Sequence, residues 1–120
     1  MADVPKLTDL YAETLREAEA GDPTAWADLG DALLYGMGVE QDQEKALDCF
    51  RKGAELDDMH ACFAIYEFWT NFSPRDKEEK EAADKERADM LIKAAALGHV
   101  KAAALQQSAV SSQRSERNEF

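Results

Sequence analysis

Residues 25–54 decide the fold, and they read AWADLGDALLYGMGVEQDQEKALDCFRKGA. In the first half of this stretch, Ala25, Leu29 and Leu33 recur every four residues, which places them on one face of a helix. The glycines of Gly36-Met37-Gly38 then interrupt the pattern, and a second apolar face follows. The stretch therefore predicts two amphipathic helices joined by a short turn. The second apolar face carries Ala46, Cys49, Phe50 and Ala54.

The beginning of this unit occurs three times along the chain. Residues 21–25, 57–61 and 98–102 align with one another, at spacings of 36 and 41 residues. Small residues recur in the same register, as expected where two helices cross closely. A larger side chain there would overpack the contact and lower the stability by about 1–3 kcal/mol. The repeat predicts an all-α fold of stacked helix pairs, with five or six helices. The residues assigned to this repeat framework are Ala25, Leu29, Gly30, Gly36, Gly38, Ala46, Ala54, Ala61, Ala95, Gly98 and Ala102.

Local signals mark where the helices begin. Asp22 followed by Pro23 is typical of a helix start, because Asp caps free N–H groups and Pro fits the first turn. Asp42 is placed to cap the next helix, and either Asp57 or Asp58 the third. The third helix is rich in aromatic residues and is expected to run to about residue 69.

A long charged helix is predicted to follow. In the segment Ser73-Pro74-Arg75-Asp76, Ser73 would cap the helix and Pro74 would take its first position. The first half of the helix is expected to face solvent, and the helix should end near residue 97. Two ion pairs are expected at i,i+4 spacing, between Glu81 and Lys85 and between Lys80 and Asp84.

These elements suggest one helical-repeat domain over residues 1–110. Within it we distinguish a partial repeat (7–21), a complete repeat (22–57), a longer atypical repeat (58–98) and a capping helix (99–110). The polar residues 111–120 are expected to form a flexible tail.

Composition and charge restrict the possible partners. The chain has 120 residues, of which 45% are hydrophobic, so one domain can bury a core. Its net charge of −11 repels phosphate backbones and anionic lipid surfaces, so we expect neither nucleic-acid nor membrane binding. No stretch approaches the roughly 18 apolar residues of a membrane span, and residues 1–6 do not resemble a signal peptide. Cys49 and Cys62 fit a reducing compartment, and a cytoplasmic location is expected.

Four ordered motifs resemble a known family. They are Ala25-x-x-x-Leu29-Gly30, Leu33-x-x-Gly36-x-Gly38-Val39, Asp42-x-x-Lys45-Ala46 and Phe50-x-Lys52-Gly53-Ala54. Together they resemble the Sel-one-like repeat, an α/α repeat related to the tetratricopeptide repeat, and the similarity extends over about residues 11–106. The resemblance implies a tetratricopeptide-like helical solenoid that acts as an adaptor or scaffold between proteins.

The second and third units depart from the family pattern. Phe72 and Pro74 stand where the two glycines of the turn should be, and the second unit is five residues longer. Arg87 replaces the small residue that Ala46 supplies in the first unit. The third unit stops after one helix, with Gln106 at the position of Leu29. We therefore expect a compact, slightly curved stack whose degenerate ends act as caps.

No catalytic constellation is visible in the sequence. Gly36-x-Gly38 lacks the Lys-Ser/Thr of a phosphate-binding loop and follows no strand, so it is interpreted as a turn. His60 and His99 fall at interhelical turns and are interpreted as solvated or capping residues. Neither histidine belongs to a nucleophilic triad or a metal-binding spacing. We expect a protein that is not an enzyme, uses no cofactor or metal, and is monomeric alone.

A candidate partner surface lies on the first helices of the units. Glu67 follows Asp31 by 36 residues, so the repeat places these carboxylates at equivalent positions on adjacent first helices. Such an acidic ladder suits a basic or amphipathic protein segment. The residues assigned to this surface are Trp26, Asp28, Asp31, Tyr66, Glu67 and Phe68.

Two alternatives stay open from the sequence. The aromatic residues between Phe63 and Phe72 are either buried by helices on two sides or exposed at the interface. The function is either that of an adaptor or that of a small acidic inhibitor, such as an immunity protein that neutralises a toxin.

Overall fold

The computed structural model describes residues 6–107, and this part of the chain contains six α-helices and no strand. The predicted all-α repeat fold is confirmed. α1 packs on α2, α2 on α3, α3 on α4 and α4 on α5, while α2 also touches α4. The helices are α1 (Leu7–Glu19), α2 (Pro23–Tyr35), α3 (Gln43–Glu55), α4 (Met59–Asn71) and α5 (Lys77–Ala96), followed by α6, described over 100–107.

Three equivalent turns lead into α2, α4 and α6. Each turn contains one residue with positive φ, which is Gly21 at 106°, Asp57 at 62° and Gly98 at 102°. Asp57 is the only non-glycine residue with positive φ among those described, and Asp tolerates this conformation better than most residues. The three-fold alignment of the sequence therefore corresponds to a shared backbone shape.

The residue after each of these turns caps the following helix. The Thr24 N–H donates to Asp22 Oδ1 at 3.1 Å, and the Ala61 N–H donates to Asp58 Oδ2 at 2.9 Å. At α6 the cap is His99, whose Nδ1 accepts from the Ala102 N–H at 3.2 Å. Asp58, rather than Asp57, is thus the cap of α4, and the capping interpretation of His99 is confirmed.

The turn between α2 and α3 depends on two glycines. Gly36 and Gly38 have φ angles of 71° and 77°, a region that other residues enter only with strain. Gln41 Nε2 donates to the Leu34 carbonyl at 2.8 Å across this turn, and Asp42 Oδ1 accepts from the Lys45 N–H at 3.0 Å. The turn and the Asp42 cap agree with the sequence prediction.

Close packing in the first unit requires small residues. A Cβ at Gly30 would overlap the ring of Phe50, and a Cβ at Gly53 would lie 2.7 Å from Ala61 Cβ. Phe50 is 1% exposed, so its ring fills the space that Gly30 leaves. The largest fully buried side chains are Phe50, Leu29, Ile65 and Cys62.

One predicted crossing residue is wrong. In α5 the fully buried alanine is Ala94, whereas Ala95 is half-buried. Ala94 lies 41 residues after Gly53, so a buried small residue occupies the same position near the end of both second helices.

The predicted start of the long helix is also wrong. α5 begins at Lys77, and its cap is Asp76, whose Oδ1 accepts from the Glu79 N–H at 2.8 Å. The Glu79 carboxylate reaches back to accept from the Arg75 N–H at 3.4 Å. This reciprocal pair of bonds satisfies free N–H groups at the helix start, and Ser73 and Pro74 remain in the turn.

The charged half of α5 is mainly exposed, as predicted. Lys80 Nζ lies 3.1 Å from Asp84 Oδ2, so this predicted ion pair is present. Glu81 and Lys85 form no ion pair among the residues described. Ala83 is buried, and Glu79 and Glu86 are half-buried, so one side of this segment faces the protein.

The remaining predictions concern the chain ends and the cysteines. The predicted continuation of the last helix to about residue 110 and the predicted tail of 111–120 lie outside the described residues. Cys62 is buried and Cys49 half-buried, and both thiols are free with a pKa that burial raises. No helix between residues 6 and 107 is both long and apolar enough to cross a membrane.

Candidate functional site

A groove runs between the first helices of the repeats. It has a volume of about 570 Å³ and lies between α2, α4 and the start of α6. A second hollow of about 320 Å³ shares Asp31, Ala64 and Glu67 with it and reaches Tyr35. We call the two together the first-helix groove.

Three carboxylates face this groove, namely Asp28 and Asp31 from α2 and Glu67 from α4. Partial burial raises the pKa of Asp31, and the charges of Asp28 and Glu67 raise it further. Burial and the charges of Asp22 and Asp58 likewise raise the pKa of Asp28, against a smaller lowering effect of His60. The three side chains are exposed at the groove, and the charges of Asp28 and Glu67 act on Asp31. A cation bound there would relieve this repulsion.

The other wall of the groove is aromatic. The rings of His99 and Phe63 stack with centroids 4.2 Å apart, and His60 meets His99 edge to face at 5.6 Å. On its far side Phe63 stacks on Tyr66 at 5.5 Å, and the Arg87 guanidinium lies 4.8 Å from the centre of the Tyr66 ring. The rings of His99, Phe63 and Tyr66 thus form a row from the start of α6 along α4, and the Arg87 guanidinium of α5 lies at the end of this row.

His99 is held in its neutral form by this geometry. Its Nδ1 accepts the capping hydrogen bond, so that nitrogen carries no proton. Burial of the ring, the neighbouring His60 and Lys101 lower the pKa of His99, while Glu67 acts in the opposite direction. Lowering the pH therefore protonates a side chain that both caps α6 and lines the groove.

The structure brings together the acidic part of the predicted partner surface. Asp28, Asp31 and Glu67 line one groove, as the 36-residue spacing predicts. Tyr66 is half-buried and stacks on Phe63, but it does not itself line the groove.

Trp26 does not lie beside the acidic residues. It is half-buried against Ala18, Ala25 and Leu29, and Lys52 Nζ lies 4.6 Å from the centre of its ring. Helix geometry turns Trp26 about 140° away from Asp31. The predicted arrangement of Trp26 beside the carboxylates is therefore wrong, because α1 and α3 cover this face of α2.

Phe68 belongs to the core and not to the exposed surface. It is 7% exposed and packs on Trp69 and Phe72, with ring centroids 5.0 and 4.8 Å away. Phe63 is buried to the same degree, whereas Trp69 and Phe72 are half-buried. The aromatic cluster is thus mainly core, because helices on both sides cover α4. Phe68 lines the smaller hollow of the groove but is buried beneath it.

Sequence reasoning missed three groove residues, His60, Phe63 and His99. The sequence placed Phe63 in the aromatic cluster but did not indicate which side of α4 it occupies. It placed both histidines at interhelical turns and gave them no part in the partner surface. The repeat alignment contained the missing signal, since it places His99 at the position of Asp22 and Asp58. That position lies where a first helix begins, next to the groove.

The described residues offer binding groups rather than a metal centre. Between residues 6 and 107, no group of three or more His, Cys, Asp or Glu side chains is arranged to hold a metal ion. The groove combines acidic side chains on one wall with rings on the other. This combination is chemically suited to holding a positively charged segment with apolar neighbours.

The helix pairs, the three capped turns and the first-helix groove define the class, that of an α/α-repeat protein. The family model of the Sel1 repeat matches residues 25–58, which confirms the resemblance predicted from the motifs of this stretch. Sel1 repeats generally mediate interactions between proteins. No curated protein is significantly similar to the chain.

Proposed function

We propose that the protein is a non-catalytic adaptor or scaffold that binds a basic segment of a partner protein in the first-helix groove. It acts as a monomer in the cytoplasm. The observation that carries this proposal is the meeting of the exposed carboxylates of Asp28, Asp31 and Glu67 in one groove. A lysine or arginine of the partner would neutralise charges that otherwise repel one another.

Charge alone does not supply enough affinity for a stable complex. An exposed ion pair contributes about 0.2–1 kcal/mol, so three such pairs correspond to a weak interaction. Apolar contacts are available at both ends of the groove, because Val100 is 82% exposed and Tyr35 is 68% exposed. A segment with basic residues in its middle and apolar residues on either side would contact the carboxylates with its centre and Val100 and Tyr35 with its two ends.

The experiment that tests the proposal compares two double charge reversals. Asp31→Lys with Glu67→Lys changes the groove, whereas Glu81→Lys with Asp89→Lys makes the same change of net charge on the exposed part of α5. Partners are captured from the source organism with the wild-type protein, and their affinity for each variant is then measured. We expect the groove variant to lose about tenfold or more in affinity and the α5 variant to lose much less.

A salt series supplies a second readout. Association with the wild-type protein should slow as ionic strength rises, since exposed charges are screened beyond about 8 Å at physiological salt. Equal affinity for the two double variants, with both still folded, would contradict binding in the first-helix groove.

A further inference from the structure

A second cleft lies between α3 and α5, the second helices of the two units. Its volume is about 590 Å³. We call it the second-helix cleft. Its apolar lining is formed by Leu47, Phe68, Trp69, Phe72, Ala82 and Ala83.

One end of this cleft is closed by a tight ionic contact. Both oxygens of Glu86 accept hydrogen bonds from Arg51, each at 2.8 Å, and Glu86 Oε1 also accepts from Trp69 Nε1 at 2.8 Å. Burial alone would raise the pKa of Glu86, but these hydrogen bonds outweigh it and hold the pKa below its ordinary value. Arg51 and Glu86 thus neutralise each other and leave no free charge for a ligand.

The opposite end is an acidic mouth that holds an exposed arginine. Arg75, from the turn before α5, lies 2.9 Å from Glu79 and 3.5 Å from Glu44 of α3. Its side chain is 78% exposed and that of Glu44 is 83% exposed, so this contact is weak and open to exchange. The mouth therefore already binds a guanidinium, supplied by the chain itself.

The charges around the cleft favour a basic ligand. The carboxylates that line it are Glu44, Asp48, Glu79 and Glu86, whereas the basic residues are Arg51 and Arg75. Arg51 is bound to Glu86 and also lies 3.6 Å from Asp48, so the mouth retains two acids, Glu44 and Glu79, and one base, Arg75.

We propose that the second-helix cleft is a second docking site, for a partner segment that carries a large apolar side chain next to an arginine or lysine. The apolar side chain lies between Leu47 and Ala82 above Trp69. The basic group takes the place of Arg75 beside Glu44 and Glu79. The second-helix cleft and the first-helix groove share Gln43, Phe68 and Phe72 along one border. The acids of the cleft do not line the groove, so the proposal does not depend on the function proposed for the groove.

The dimensions of the cleft agree with a short segment. From Gln43 to Arg51 the axis of α3 advances about 12 Å, and the volume lies within the roughly 300–1,000 Å³ of small ligand sites. One or two side chains fit into this length, but a long helix does not.

The test uses a short synthetic peptide that combines leucine and arginine side chains and is capped at both ends. A Trp26→Phe background leaves Trp69 as the fluorescent reporter within the cleft, because its indole N–H is bonded to Glu86. We expect the peptide to change the Trp69 emission in a saturable way. A matched peptide with glutamate in place of each arginine should leave the emission unchanged.

Three variants locate the binding. Ala82 is exposed and lines the cleft, so Ala82→Lys should weaken binding by about tenfold without unfolding the protein. Glu44→Lys should weaken it by about threefold. Arg75→Gln removes the competing guanidinium and should strengthen binding by about threefold.

Matched controls make the outcome decisive. Glu81→Lys changes an exposed acid of α5 outside the cleft and should leave the affinity unchanged, as should the Asp31→Lys and Glu67→Lys pair. The proposal is overturned if the Trp69 emission does not respond, if the glutamate peptide binds equally well, or if binding follows Asp31 and Glu67. It is equally overturned if Arg75→Gln weakens binding, because Arg75 would then not be a competitor.

Discussion

The two helix pairs of this protein share one plan but are held together by different contacts. In the first pair, α2 and α3 approach so closely that the Phe50 ring rests on Gly30, and a glycine turn connects them. In the second pair, Arg87 of α5 lies over the Tyr66 ring and donates to Thr70 Oγ1 at 3.0 Å. Both pairs contain a cation–π contact, since Lys52 of α3 lies 4.6 Å from the centre of the Trp26 ring of α2, and both contribute to the same apolar core. The first pair is distinguished by close packing against a glycine, and the second by side-chain hydrogen bonds between its two helices.

Because of this difference, the first pair is the more rigid framework of the fold, whereas the second pair offers a surface whose contacts can change. Close packing tolerates little change in volume, because neighbouring side chains relax only partly. Contacts at a half-buried surface contribute less and can be exchanged more easily. The second pair has the shorter connection, residues 72–76 against 36–42, but the longer second helix. Its turn and the first half of α5 line the second-helix cleft together with α3.

The largest expected effect compares equivalent positions in α3 and α5. Phe50→Ala should lower the free energy of unfolding by about 3–5 kcal/mol, since a fully buried ring leaves a cavity. Leu91 lies 41 residues later and is half-buried, so Leu91→Ala should cost only about 1–2 kcal/mol. Urea denaturation of both variants measures the difference. Equal losses would mean that the two pairs are packed equally tightly.

A smaller effect is expected at the turns. Gly38 has a φ of 77°, so Gly38→Val should cost about 1–3 kcal/mol in unfolding free energy. Ser73 lies in the corresponding turn of the second pair, is exposed and has no positive φ, so Ser73→Val should change the free energy by less than about 0.5 kcal/mol. An unchanged denaturation midpoint for Gly38→Val would show that the glycine turn is not strained by a side chain.

The smallest effect distinguishes the His99 cap of α6 from the Asp22 and Asp58 caps of α2 and α4, and it depends on pH. Because the pKa of His99 is lowered in the folded protein, the unfolded chain binds more protons just below the ordinary value of 6.5. The stabilising effect of the cap is therefore fully present above about pH 6.5 and is lost as the pH falls from there through the folded pKa. The loss is that of one cap, about 0.5–2 kcal/mol.

Hydrogen exchange at the Ala102 amide and the thermal midpoint, compared at about pH 7.5 and about pH 5.5, measure this effect. His99→Asn retains an acceptor that does not titrate, so its midpoint should depend less on pH in this range. His60→Gln serves as the control for the neighbouring ring. If His99→Asn and the wild type respond equally to acid, another group is responsible.

Much of the fold follows from local signals in the sequence. The Asp22 and Asp42 caps and the glycine turn depend on neighbouring residues only, and the structure has them as predicted. The meeting of Asp31 and Glu67 follows from the repeat length, because equivalent residues of stacked units lie side by side.

The failures arise where two local signals compete or where distant elements meet. Ser73-Pro74 and Asp76 both resemble helix starts, and only the hydrogen bonds of Asp76 and Glu79 decide between them. The burial of Phe68 and the orientation of Trp26 depend on which helices cover each face. The second-helix cleft was not predictable, because the Arg51–Glu86 contact joins residues that are 35 positions apart in helices of different units.

The contact between Phe50 and Gly30 implies that the two positions change together. A side chain can be added at position 30 only if ring volume is removed at position 50. The second pair displays the inverse distribution, with Tyr66 at the position of Gly30 and Leu91 at that of Phe50. The aromatic ring is contributed by the second helix in one pair and by the first helix in the other. A designer who extends this solenoid therefore has two templates for a helix pair. Combining α4 with α3 would place two aromatic rings at these positions, and combining α2 with α5 would place none.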